Sequence, residues 1–162
     1  MSSWNEQVDA LWGQADQISD AELLAQMRAL ASERPNDPLA LAELGGAHDS
    51  TGHPVEAANL YQRAVEAGLS DPKLSQVVIQ HASTLRNLGR HDESIAMLRD
   101  HYDAQPDHEL AGAASVFVAL ALATSARERE AVVELLRTVE PTLPRYNRSI
   151  RAYADALEAG EI

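Results

Sequence analysis

The sequence repeats itself with a period of 37 residues, and this period constrains the fold more than any other feature. Self-similarity at about 20–50 residues, with two short helices in each repeat, is typical of a solenoid whose repeats bury their apolar faces against one another. Small or apolar residues recur in frame along the chain. The turn position holds Gly52, Gly89 and Ala126; the first helix holds Gly45, Ala82 and Ala119; the second helix holds Ala57, Ser94 and Ala131, then Tyr61, Leu98 and Leu135.

Residues 78–106 show what one repeat contains. Apolar residues at i, i+3, i+4 and i+7 spacing predict a first amphipathic helix. Gly89 follows it, where a left-handed C-terminal cap favours a residue without Cβ. A second helix follows the turn and ends before Pro106. The two apolar faces consist of Val78, His81, Ala82 and Leu85, then Ile95, Leu98 and Tyr102.

The composition agrees with a fold made only of helices. Aromatic residues are 4% of the chain, helix-forming residues are abundant, and no segment shows sustained alternation of β-branched residues. We therefore predict an all-α protein. The small residues Gly45, Ala82 and Ala119 are expected to let the two helices of each repeat approach closely, and a larger side chain there should overpack the interface.

This pattern resembles the tetratricopeptide repeat, a helix–turn–helix unit of about 34 residues. The segments ELGGAHDSTG, ASTLRNLGRHDESIAML, AREREAVVELL and LPRYNRSIRAYADAL are more narrowly similar to the small bacterial tetratricopeptide proteins of repeat group 5. The third repeat departs from the pattern because Ala126 replaces the turn glycine. The resemblance implies a right-handed α-solenoid of antiparallel helix pairs that ends in a C-terminal capping helix.

A single solenoid domain over residues 1–162 is expected, with no boundary inside it. Its parts are predicted to be a degenerate N-terminal helix pair at 1–35, repeats at 38–69, 72–106 and 108–140, and a capping helix at 144–159.

The charge balance argues against nucleic acid as a ligand. The chain has 13 Lys and Arg residues against 25 Asp and Glu residues, a formal net charge of −12, which would repel phosphates over most of the surface. Acidic surfaces mostly serve solubility, and the alternative is that they steer a basic partner. The sequence has no cysteine, no signal-peptide pattern and no apolar run near the roughly 20 residues that span a bilayer. We expect a cytoplasmic protein that does not bind a membrane.

Catalytic and metal-binding patterns are not found in the sequence. None of the six histidines belongs to a HExxH motif. His48 and Asp49 are neighbours on one helix, so their side chains point about 100° apart, which does not suit a His–Asp dyad. We expect His48 and His81 to be core residues, and we predict no enzyme activity, no cofactor and no metal.

The resemblance implies that the first helices of the repeats line a concave groove that binds a peptide or a helix. Asp49 and Arg86 hold equivalent positions in adjacent repeats and are predicted to pair. That pair would either be structural or hold a peptide carbonyl or carboxylate through Arg86. The lysine and asparagine clamp by which some such domains grip a chaperone C-terminus is not matched. The candidate groove residues are Trp12, Asp49, Ile79, Ser83, Arg86, Asn87, Val116 and Leu120, of which Trp12, Ile79, Val116 and Leu120 are expected to be exposed.

The last predicted helix carries a narrow apolar seam that includes Tyr146, Ile150 and Tyr153. A terminal helix of a solenoid normally only caps the core. The alternative is that the seam makes a homodimer, which would make the protein a self-associating scaffold. A less favoured alternative is a small-ligand sensor. The sequence does not identify a protein partner.

Overall fold

The computed structural model describes residues 2–162, and this part of the chain consists of helices joined by turns. The expected fold class is confirmed: the protein is all-α, with successive helices paired as in an α-solenoid. The chain divides into two compact units, unit 1 ending at Thr84 and unit 2 beginning at Leu85. Its α-helices are α1 (Trp4–Trp12), α2 (Asp20–Ser32), α3 (Pro38–Ser50), α4 (Pro54–Glu66), α5 (Lys73–Asn87), α6 (His91–Tyr102), α7 (Ala111–Thr124), α8 (Glu128–Val139) and α9 (Asn147–Ala159).

Unit 1 buries two apolar clusters that meet on α3. The first joins α1 and α2 to Ala47, with Met27 fully buried at its centre. The second joins α3 and α4 to the first part of α5 through Tyr61, Ala64 and Val77. Leu44 packs against both clusters, so α3 lies between two layers of helices.

Unit 2 continues the same alternation of helices. Helix α7 packs against both α6 and α8, and α8 packs in turn against α9. Leu98 and Leu122 are its most completely buried large side chains beside Leu85. Helix α9 begins at Asn147, three residues later than predicted, because Tyr146 has a left-handed φ of 71° that an α-helix does not accommodate.

Three turns separated by the 37-residue period adopt the same left-handed conformation. Gly52 has φ of 78°, Gly89 has φ of 76° and Ala126 has φ of 60°. The following amide closes each helix end on the carbonyl five residues before it, as in a Schellman cap. These bonds run from His53 N to His48 O (2.9 Å), from Arg90 N to Leu85 O (2.9 Å) and from Arg127 N to Leu122 O (3.0 Å). The left-handed glycines predicted from the period are confirmed, and Ala126 adopts the strained conformation without being glycine.

The third turn can therefore be improved by one substitution. Ala126→Gly is expected to raise the free energy of unfolding by about 1 kcal/mol, because a left-handed residue with a Cβ costs roughly that much. Gly89→Ala should lower it by a similar amount, since a Cβ at Gly89 meets no atom within 4 Å and only the backbone is strained. Urea denaturation of the two variants measures both effects. A change of the same sign in the unfolding free energy of both variants would contradict the interpretation that the left-handed backbone causes the effect.

The close approach of α3 to α4 depends on Gly45. A Cβ at this position would lie 2.9 Å from both Cδ1 and Cε1 of the Tyr61 ring. That ring is fully buried, and the two contact atoms belong to the rigid ring rather than to the end of a flexible chain. The role predicted for the small residue at Gly45 is thus confirmed by the geometry.

Gly45→Ala is expected to destabilise the protein although alanine is the better helix former. The helix gains about 1 kcal/mol, while overpacking a well-filled interface costs about 1–3 kcal/mol. We expect a net loss of about 1 kcal/mol in thermal or urea unfolding. Gly112→Ala on α7 is the matched control, since a Cβ there meets nothing within 4 Å and should cause no loss. A more stable Gly45→Ala variant would contradict the prediction.

Candidate functional site

The candidate site in unit 1 begins with a buried carboxylate on α3. Glu43 accepts a hydrogen bond from Trp12 Nε1 through Oε2 (2.7 Å) and forms an ion pair with Lys73 Nζ through Oε1 (2.6 Å). Both carboxylate oxygens are thus engaged by side chains from α1 and α5. Trp12 is half-buried rather than exposed, because its indole N–H is held by this bond.

One turn and a half further along α3, Asp49 has a different environment. Its Oδ1 accepts a hydrogen bond from Thr84 Oγ1 (3.0 Å), and Thr84 Oγ1 also lies 2.9 Å from Gln80 O. No Lys or Arg of unit 1 forms an ion pair with Asp49. Burial raises the pKa of the Asp49 carboxyl, and the hydrogen bond from Thr84 opposes this shift. Asp49 is therefore a half-buried carboxylate with no cation beside it in its own unit.

Between these carboxylates lies a hydroxyl group from the second helix of the repeat. Tyr61 is fully buried, and its hydroxyl has no hydrogen-bond partner. Burial raises the pKa of Tyr61, and the negative charges of Asp49 and Glu43 raise it further. The hydroxyl therefore stays protonated and offers a donor toward an acidic region.

Two histidines of unit 1, His48 and His81, are buried in the core, as predicted. The His48 ring makes an edge contact with His53 at 5.6 Å between centroids, and its Nδ1 has no hydrogen-bond partner. Burial lowers the pKa of His48, and the positive charges of Arg28 and His53 lower it further, while Glu56 opposes them. The described residues contain no group of three or more metal-binding side chains.

The remaining candidate groove residues of unit 1 are less open than expected. The expectation that Ile79 would be exposed is wrong, because it is buried together with Val77 and Val78. Three consecutive buried residues mean that α5 is covered around most of its circumference. Ser83 is half-buried.

The candidate groove residues of unit 2 include an exposed apolar pair. Val116 and Leu120 lie one turn apart on α7 and are 41% and 43% exposed, as the sequence predicted. Arg86 is half-buried, and its Nε has no hydrogen-bond partner; Asn87 is exposed. Asp49 and Arg86 belong to different units, so their pairing stays a prediction.

The bonds of Lys73, Glu43 and Thr84 were missed by the sequence reasoning. The 37-residue period identifies which positions of successive first helices are equivalent, and it selected Asp49 as a candidate groove position. Glu43 carried a usable signal, since it is the one charged residue in the apolar and small stretch 38–47. An acid in such a stretch must find a partner when the helix is buried.

The repeats of this chain match a known protein family. The family model described as Tetratrico peptide repeat, TPR_5, matches residues 38–157, well over half of the chain. The chain belongs to the tetratricopeptide repeat family. The resemblance inferred from the repeats is thereby confirmed. Tetratricopeptide repeat proteins are in general non-catalytic protein-interaction modules.

No curated protein matches this tetratricopeptide repeat protein. Among solved structures it is similar to YrrB, described as a TPR protein with an unusual peptide-binding site, with 15% sequence identity over 96% of this chain and 91% of that chain. The TM-score is 0.35, so no residue of that peptide site is transferred here. No helix within residues 2–162 has the length and apolar character needed to span a membrane.

The environment of His48 predicts a dependence of stability on pH. Its folded pKa lies below the ordinary value of 6.5. As the pH falls through that value, the unfolded chain binds a proton that the folded chain does not, so stability falls until the folded pKa is reached. His48→Phe should weaken this loss of stability between pH 7 and 5 in urea titrations. A pH dependence in His48→Phe that equals that of the wild-type protein, or is steeper, would contradict the assignment.

Proposed function

We propose that this protein is a non-catalytic interaction module that binds a peptide or a helix along the groove positions of its first helices. The observation that carries the proposal is Asp49, a half-buried carboxylate that accepts one hydrogen bond from Thr84 and has no cation beside it in unit 1. A buried carboxylate is stabilised by a charge-assisted hydrogen bond from a cation. A basic side chain of a partner would supply that cation.

The contrast with Glu43 supports this choice of partner. Glu43 is also a carboxylate on α3, but Lys73 and Trp12 already bind both of its oxygens. Asp49 alone of the two can therefore accept a further donor. The net charge of −12 acts in the same direction, since it attracts basic partners and increases their rate of association.

Within unit 2, the proposed peptide-binding positions include the apolar residues Val116 and Leu120 on α7. Exposed apolar side chains one turn apart suit an apolar side chain of a bound helix or extended peptide. Trp12, Ile79, Ser83, Arg86 and Asn87 belong to the same proposal. Among them, Ile79 contributes through packing rather than contact, because it is buried.

Asp49→Asn tests the proposal directly. The amide oxygen can still accept the hydrogen bond from Thr84, so only the charge is removed. Peptides selected from a randomised display library on the wild-type protein should be rich in Lys or Arg. Their affinity should fall about tenfold in the variant, which corresponds to about 1.4 kcal/mol. Titration calorimetry measures the affinity, and urea unfolding verifies that the variant stays folded.

Glu56→Gln is the matched control, because it removes one negative charge from an exposed position on α4. Its effect on peptide affinity should stay within about twofold, as expected for a screened surface charge. Equal losses in both variants would mean that overall charge, not Asp49, attracts the peptide. Selected peptides without basic residues, or an unchanged affinity in Asp49→Asn, would overturn the proposal.

A further inference from the structure

Helix α8 leaves an apolar stripe open to solvent. Val132, Leu135 and Val139 follow i, i+3 and i+7 spacing and are 45%, 38% and 46% exposed. This spacing places the three side chains on one face of the helix. The stripe lies on a second helix of a repeat, so it is separate from the groove positions on the first helices.

Most of the same positions are covered in the preceding repeats. One period earlier, Ile95, Leu98 and Tyr102 are 6%, 0% and 5% exposed. Two periods earlier, Ala58 and Tyr61 are buried, whereas Val65 is 44% exposed. In unit 1 the cover comes from α5, whose His81 ring lies 5.8 Å from the Tyr61 ring. In unit 2, α6 packs against α7. The stripe on α8 therefore corresponds to the place where the first helix of a following repeat would pack.

Helix α9 does not occupy that place. It packs antiparallel against a different face of α8, through Val133, Arg137 and Glu140: Arg137 pairs with Asp155 and Glu158, and Arg151 pairs with Glu140 (2.7 Å). The residues one period before Val133, Arg137 and Glu140 are all exposed; they are Ala96, Asp100 and Asp103. Helix α9 thus covers a face of α8 whose equivalent on α6 is exposed to solvent, and it leaves the stripe uncovered.

We propose that a second copy of this chain covers the stripe, with the two α8 helices packed antiparallel about a twofold axis near Leu135. The stripe is self-complementary in this arrangement, because Val132 of one copy meets Val139 of the other and Leu135 meets itself. A twofold interface requires this kind of self-complementarity.

The charges at the two ends of the stripe favour the same occupant. Glu128 is exposed one turn before Val132, and Arg145 is exposed shortly after the C-terminal end of α8. Neither forms an ion pair within unit 2. In the antiparallel pairing, Glu128 of one copy lies beside the residues around 143 of the other, within reach of Arg145. An antiparallel second copy therefore brings opposite charges together at both ends.

Two exposed tyrosines near the C-terminus, Tyr146 before α9 and Tyr153 on α9, provide further area for this interface. A stable dimer buries about 800 Å² on each partner, which three side chains do not supply. Tyr146 and Tyr153 are 75% and 59% exposed, and aromatic residues are enriched in interfaces. In the proposed dimer, the seam predicted from the sequence, Tyr146, Ile150 and Tyr153, borders the interface and the α8 stripe forms its centre.

Sedimentation equilibrium of the full chain over a range of concentrations tests the proposal. The wild-type mass should rise to twice that of the chain. Leu135→Glu should remain monomeric and keep its helical circular dichroism, because the side chain already faces solvent. Val55→Glu, an equally apolar and more exposed position on α4, should still dimerise.

Charge reversal tests the orientation of the two copies. Glu128→Arg and Arg145→Glu should each weaken the dimer about tenfold, and the double variant should restore it. A wild-type chain that is monomeric at every concentration, or a dimer that survives Leu135→Glu, would overturn the proposal. A double variant that dimerises as weakly as the single variants would overturn the antiparallel arrangement. If an amphipathic helix of another protein bound the stripe of a monomeric chain, a second copy would not be the occupant.

Discussion

The contact between Gly45 and Tyr61 is the constraint on which the rest of unit 1 depends. Without a side chain at Gly45, the Tyr61 ring of α4 lies directly against α3. This close approach buries the ring fully and brings α5 over it through His81. A bulkier residue at Gly45 would push α4 outward and open the apolar cluster that α3 forms with α4 and α5.

The same contact determines the electrostatics of the candidate site. Because the ring is pressed against α3, the Tyr61 hydroxyl is buried in the field of two carboxylates, Glu43 and Asp49. Lys73 neutralises Glu43, whereas no basic side chain of unit 1 neutralises Asp49. The site therefore combines a paired carboxylate, which holds the helices together, with one that has no Lys or Arg partner in its own unit.

The sequence predicted those features that depend on the 37-residue period and on the backbone conformation that it repeats. The left-handed turns at Gly52 and Gly89, the close approach at Gly45 and the burial of His48 follow from the period and from residue size. The 37-residue period could not predict the Trp12–Glu43–Lys73 cluster, because a repeat period does not determine the rotamers of long side chains. It misjudged Ile79, because exposure depends on how many helices surround α5 and not on its position in the repeat. The pairing of Thr84 with Asp49 was missed for a similar reason, since the frame offered Arg86 as the partner.

Helix α9 does not pack where the 37-residue period would place it, and the reason is electrostatic. If α9 packed where the period places it, its charged residues would face the apolar stripe of α8, and the ion pairs of Arg137 and Arg151 would not form. Packing on the other face pairs Arg151 with Glu140, a buried carboxylate that is stable only when it is paired. The pairs of Arg137 with Asp155 and Glu158 are exposed and contribute little. The cost of this arrangement is an uncovered apolar stripe. A solenoid normally caps its last apolar face, whereas in this chain the capping helix packs on a different face of α8 and leaves the stripe exposed to solvent.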